Sequence, residues 1–386
     1  MMRFLGLLVG ALVLATVTLV PTPAQAYPQW QFSSGTTRCS QCHFSPSGGG
    51  QLTNYGRDAI GEDLSTWEGD GSFLHGATEL PDWLKLGLDF RGAFVAGDDG
   101  GPDQPKSVLF PMQMDGHLRL EFDAFSFNAI GGFRAQARKT EGGPIPENNF
   151  QPGNENRLVS REHFVSWQPS TRGAYVRAGR FFAPFGLRMA EHLVYVRRDL
   201  GFNSLQETYN LSGGYLENEW EAHVTVFAPD FVQNTGLKEK GVAAYYEKRL
   251  LDETAGIAAQ VKYAMGDAGA RAMGGLVGKL FIESAHLLIL GEGNVIHQMP
   301  DGTDAAQQFA GLFGASFLPV RGIMFTAFGE RFASDLLNNN AAVNAGTGLL
   351  SWFPYPHFEV QLVGRMQAAS TGDPIKTFLA QFHYFL

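Results

Sequence analysis

From Leu84 onward the chain alternates apolar and polar residues with a period of two, the pattern of a strand whose faces meet different surroundings. Leu84, Leu86, Leu88 and Phe90 alternate with Lys85, Gly87, Asp89 and Arg91. Leu118, Leu120 and Phe122 alternate with His117, Arg119, Glu121 and Asp123. The final segment sets Phe378, Ala380, Phe382, Tyr384 and Leu386 against Gln381 and His383. Such segments predict strands near 84–96, 112–124, 127–138, 161–168, 174–182, 211–216, 219–227, 241–249, 255–265, 272–283, 286–296, 308–318, 322–332, 345–353, 357–367 and 376–386. The count is about 16, and the less regular stretches 161–168 and 211–227 leave 14 and 18 as alternatives.

Connections alternate between long (97–111, 139–160, 183–210, 228–240, 333–344) and short (125–126, 169–173, 319–321, 354–356). Even strand counts, short periplasmic turns and longer external loops are the marks of bacterial outer-membrane barrels, and a barrel of this width encloses an aqueous lumen. A soluble β-sandwich also alternates, but residues 84–386 are too many for one ordinary sandwich. The predicted fold class is all-β: a transmembrane antiparallel β-barrel over 84–386, preceded by a small N-terminal segment.

Composition narrows the alternatives. Only 17% of residues are charged, against about 25% in soluble chains, while the chain holds 47 glycines and 31 phenylalanines. A helical membrane protein needs repeated apolar runs of about 20 residues, and none follows residue 26. The net charge of -9 excludes nucleic acid as a partner. At the start, Arg3, the apolar run Leu5 to Val20 and Ala24-Gln25-Ala26 predict a signal peptide over 1–26 and export.

The chain has two cysteines, and Cys39-Ser40-Gln41-Cys42-His43 has the spacing of covalent haem attachment. Each thiol adds to one vinyl group of the haem, and the adjacent imidazole reaches the iron. A bare dithiol needs no histidine, and a zinc site needs four ligands. One c-type haem is therefore expected, held by Cys39 and Cys42, with His43 as axial ligand. Residues 27–83 form the expected monohaem cytochrome segment, too short to bury a cytochrome core alone. A hydrocarbon layer of about 30 Å is long for one tunnelling step, so the haem is expected inside the barrel.

For the sixth ligand, His75 and His117 lie closest in sequence to the motif. His223 and His383 share the lumen parity of His117, whereas Met112 and Met114 share that of the lipid-facing leucines. An open sixth position is equally compatible. Lumen parity also collects Asp89, Arg91, Asp115, Arg119, Glu359 and Arg365, expected to satisfy one another as a charge lattice. Asp98, Asp99 and Asp103 fall in the first long loop, expected as solvated charge.

An exported chain with one such motif ahead of a barrel resembles the fused monohaem cytochrome–porins of bacterial outer membranes, the iron-oxidation type. The resemblance rests on Cys39 to His43 with Pro46, on Asn54-Tyr55-Gly56-Arg57, and on Gly179-Arg180-Phe181-Phe182-Ala183-Pro184-Phe185-Gly186, similar to a segment of porin-like barrels. The final strand resembles an outer-membrane insertion signal, with Leu386 where phenylalanine is usual. What the resemblance implies is electron transfer across the outer membrane. The implied partners are a periplasmic c-type cytochrome or other electron carrier, an extracellular electron donor or acceptor such as Fe(II), and outer-membrane lipid. Two other readings stay open: a passive porin or solute channel with a haem-bearing plug, and an oxidoreductase or gas sensor with an open coordination site.

Overall fold

An alternating strand satisfies its backbone in a bilayer only when the sheet closes on itself, because an open edge would expose unpaired peptide groups to lipid. The computed structural model describes residues 39–46, 48–59, 64–98, 106–134, 158–191, 193–203, 206–230, 238–267 and 269–386. The expected signal peptide, Asp99 and Asp103 lie outside them. Sixteen strands form one closed sheet. They are β1 (Leu84–Asp98), β2 (Lys106–Phe122), β3 (Phe125–Arg134), β4 (Leu158–Trp167), β5 (Gly173–Phe181), β6 (Thr208–Leu216), β7 (Trp220–Ala228) and β8 (Lys240–Leu250). There follow β9 (Ala255–Gly266), β10 (Gly269–Ile282), β11 (Leu287–Met299), β12 (Ala306–Val320), β13 (Ile323–Ala333), β14 (Ala342–Trp352), β15 (Phe358–Ala369) and β16 (Ile375–Phe385). Each pairs antiparallel with its chain neighbours, and β1 closes against β16 with Phe90 opposite Tyr384.

The period of two sorts the side chains between two surroundings. Leu109, Leu211, Val224, Leu276 and Phe313 are exposed on the outer face, while Asp115, Ser212, Asn294 and Glu359 are buried inward. An outer surface this apolar is stable only against lipid, and a closed barrel of this size is the form that spans the bacterial outer membrane. Tyr215, Trp220 and Tyr246 stack at one rim, with centroids 5.5 and 6.2 Å apart, as interfacial aromatics do. That rim carries the short turns, including Asp123-Ala124 between β2 and β3, and it also carries the start of β1 and the end of β16. It is the periplasmic rim. Two connections depart from the alternation: 267–268 between β9 and β10 and 370–374 between β15 and β16 are short although they lie at the long-loop end.

The β5–β6 connection, expected over 183–210 as an external loop, turns inward over its described residues 182–191 and 193–203. Phe185, Leu187, Met189, Val194, Val196 and Leu200 are buried against Met273, Val277, Leu288, Leu290, Leu312 and Phe328. The lumen wall over β10–β13 carries apolar patches among polar residues such as Glu292 and Glu330, so the loop's apolar side chains leave water by packing on those patches. Its Leu187 and Tyr195 N–H groups donate to the Glu292 and Glu330 carboxylates, at 2.7 Å each.

At the periplasmic rim the β14–β15 turn buries His357 completely. Burial and the nearby His75 push its pKa down to about 4. The neutral ring is thus the folded-state form, whereas an unfolded histidine titrates near about 6.5. Its contribution to stability should be intact above that value and be lost as pH falls through about 4. Unfolding of the wild type should therefore become easier between pH 7 and pH 4, with a shallower slope in His357→Gln. Equal slopes for the two proteins would contradict this.

Candidate functional site

The motif segment lies in the lumen. Cys39–Cys42 makes a single helical turn, α1, closed by His43 N–H donating to the Cys39 carbonyl at 2.9 Å. The chain doubles back so that Phe44 N–H bonds the Gln51 carbonyl at 3.2 Å and His43 bridges Leu52. Thr53 then caps the second short helix, α2 (Asn54–Asp58), accepting from Gly56 N–H at 3.1 Å and donating to the Gln41 carbonyl at 2.6 Å. Gly56 is obligatory: a Cβ there would run into the Cys42 carbonyl. Gly56→Ala should cost about 1–3 kcal/mol of local packing, read as faster proteolysis within residues 39–59 while strand content is unchanged. Wild-type protease resistance in this variant would refute the close approach.

Lumen residues hold this segment from several sides. Arg119 on β2 lies 4.3 Å over the Phe44 ring, and Arg177 on β5 donates to Ser45 Oγ at 2.9 Å. From the inward loop, Arg188 donates to Cys39 Sγ at 3.2 Å and lies 5.0 Å over the Tyr245 ring. Arg188 holds a left-handed φ of 56°, uncommon for a residue with a Cβ. The loop before it is pinned: Gly186 N–H donates to Gln260 at 2.6 Å and Leu187 N–H to Glu292 at 2.7 Å.

Between the motif and the inward loop lies a cavity of about 270 Å³, lined by Cys39, Cys42, His43, His117, Met189 and His383 among others. Neither cysteine is in a disulfide. Burial, and then Cys39, push the Cys42 thiol up to about 12, so it stays protonated and is a weak nucleophile once the barrel has closed. Gly48, Gly49 and Gly50 all have positive φ, and a Cβ on Gly48 would lie 3.3 Å from Cys39 Sγ. These glycines leave the thiol side of the cavity bare.

The expected ligand residues separate here. His43 lines the cavity beside both thiols. His117 also lines it, buried on β2, and its Nδ1 has no hydrogen-bond partner among the described residues. His75 is not brought to the cavity; it sits at the rim against His357, with centroids 5.0 Å apart. His383 reaches the cavity but lies between Glu359 at 3.0 Å and Asp89 at 3.3 Å. His223 stands 2.7 Å from the Tyr175 hydroxyl, outside the lining. Met189 and Arg188 escaped the sequence reading because both lie in the loop assigned to the exterior. Arg188 shares its stretch with Gly186, the end of the glycine–arginine–aromatic segment, and that was the available signal.

Of the charged residues expected to satisfy one another, Arg91 pairs with Asp89 and Arg119 with Glu121, while Asp115 and Arg365 pair with Arg161 and Glu330, which the expectation did not include. Arg180 pairs with Asp230 at 3.0 Å and Glu207 at 3.3 Å, all fully or almost fully buried. Arg161 bonds Glu207 at 3.1 Å, and Arg91 bonds Asp89 at 3.1 Å.

The fold is shared with solved outer-membrane proteins. The chain is similar to Pseudomonas putida OprB, with a TM-score of 0.60 and 10% identity over 78% of this chain and 94% of that one. It is similar to Vibrio cholerae OmpT, with a TM-score of 0.58 and 8% identity over 80% and 99% of the two chains. It also resembles the outer membrane channel DcaP of Acinetobacter baumannii, at 0.55 and 11% over 78% and 97%. No protein-family model and no curated protein matches the sequence. At these identities the shared property is the fold: a porin-like outer-membrane β-barrel.

Proposed function

We propose that the barrel holds one covalently attached c-type haem in its lumen and passes single electrons across the outer membrane. The observation that carries this reading is the position of Cys39, Cys42 and His43 on the same lumen cavity as His117. The residues present suit the group. The two thiols share one helical turn and neither is in a disulfide, which suits thioether attachment, and His43 and His117 would supply nitrogens to the iron. A bound haem supplies a metal centre that changes oxidation state by one electron.

The chain's own groups do the rest. The left-handed Arg188 steadies the Cys39 side, Gly48 to Gly50 keep that side open, and the inward loop walls the cavity against water. The cavity is near the lower end of the roughly 300–1,000 Å³ common for ligand sites, so a macrocycle seated there requires Arg188 to Ala190 to yield. The partners are a periplasmic c-type cytochrome or similar carrier and an external donor or acceptor, with Fe(II) the donor favoured by the family resemblance.

A second reading is a porin or solute channel plugged by residues 39–59, favoured by the likeness to porin-like barrels that include a named outer membrane channel. Two measurements on one detergent preparation decide. Haem peroxidase stain on the denatured band, with a low-spin spectrum, supports the conduit. An unstained band with steady open-channel conductance in planar bilayers supports the channel.

A further inference from the structure

A series of rings runs from the cavity to the periplasmic surface. His383 and Phe385 line the cavity at the end of β16, with centroids 4.7 Å apart. Phe385 is 5.9 Å from His357 in the β14–β15 turn, and His357 is 5.0 Å from His75. His75 is exposed at the rim, with its Nε2 3.4 Å from the Tyr384 hydroxyl. Four rings therefore join the lumen to solvent without a gap wider than one ring contact. Tunnelling falls exponentially with distance and is least attenuated through contiguous bonded and packed groups, so a ring series this close favours coupling between cavity and rim.

The surface around His75 has a distinct charge. Residues 64–83, which cross the rim, contain Glu68, Asp70, Glu79 and Asp82 but no lysine or arginine, and of these Glu68 is paired with Arg321 of the β12–β13 turn at 3.2 Å. Asp123 and Glu283 project from turns at the same end. Exposed Trp67 and Leu74 lie within this acidic field. An acidic rim with a few apolar contacts at the end of a ring series matches a soluble partner with a basic face.

We infer that the rim around His75 is the docking site of a basic, soluble one-electron carrier, and that the His383–Phe385–His357–His75 series couples it to the lumen. The inference rests on the haem reading above. In each transfer one electron passes, the donor oxidised by one unit and the acceptor reduced by one, with no bond or proton changed.

The test uses the full-length, haem-bearing barrel and mitochondrial cytochrome c, a basic one-electron carrier, in stopped flow. His75→Ala and Phe385→Leu should each lose the fast exchange phase, while Phe325→Leu on the lipid face keeps it. The double change Glu79→Gln/Asp82→Asn should slow exchange by about tenfold at low salt and flatten its salt dependence. If Phe385→Leu does not insert, the exposed His75→Ala carries the test alone. An unchanged fast phase in His75→Ala overturns the route, and a salt-independent rate in the wild type overturns the basic partner. A wild-type barrel without covalent haem defeats the underlying reading instead, and the peroxidase stain separates that outcome from the others.

Discussion

Cys39→Ala/Cys42→Ala protein is expected to lose all covalent pigment while the barrel still assembles. On the proposed reading both thioethers are removed, because the chain has no other cysteine, so the peroxidase-active band disappears after denaturing electrophoresis. Barrel assembly should survive, because closure rests on the β1–β16 pairing and the lumen lattice, not on the thiols. The unheated sample should keep the fast migration of a folded barrel. Each single variant should retain pigment through one bond. His43→Ala should retain it through two, with a changed spin state, because the axial ligand sets that property. A stained band in the double variant would sink the attachment role; an unfolded double variant would instead make the segment an assembly element.

Arg180→Leu should produce the largest loss of stability. Arg180, Glu207 and Asp230 are together removed from solvent, and the guanidinium also bonds the Ser160 and Arg161 carbonyls on β4. Removing the cation leaves Glu207 to Arg161 alone and takes the guanidinium away from buried Asp230, and breaking a buried pair in this way costs about 3–5 kcal/mol. The midpoint of denaturant unfolding should fall accordingly. Arg180→Lys should recover only part, since one ammonium cannot reproduce the forked geometry. A midpoint equal to that of the wild type would show that water reaches these carboxylates after all. Gly179 beside it belongs to the same device: at φ 142° its missing Cβ lets the chain pass the His163 carbonyl.

The glycine–arginine–aromatic segment shows how far local pattern reaches. Its likeness to porin-like segments was visible in the residues, but its roles were not. Gly179 permits a close strand approach, Arg180 anchors the lattice, and Gly186 turns the chain inward, where a Cβ would strike Glu292. Each role depends on a partner remote in sequence.

The alternation by itself pointed to about 16 strands, to the face of most strand residues and to the membrane setting, because a period of two is a property of the backbone and lipid and lumen reward opposite polarity; closure fixed the number that the sequence left between 14 and 18. It placed His117 inward and Met114 outward for the same reason. The spacing of Cys39, Cys42 and His43 also stands on its own, since one helical turn brings them together wherever it sits. Tertiary structure decided what shares the cavity. The inward turn of the β5–β6 connection rests on the apolar patches that β10–β13 bring together, and those patches exist only after closure. Met189 and Arg188 reach the motif through that loop, while His75, nearer in sequence than His117, is held at the rim by His357. Sequence distance does not measure position around a closed barrel; register and closure do.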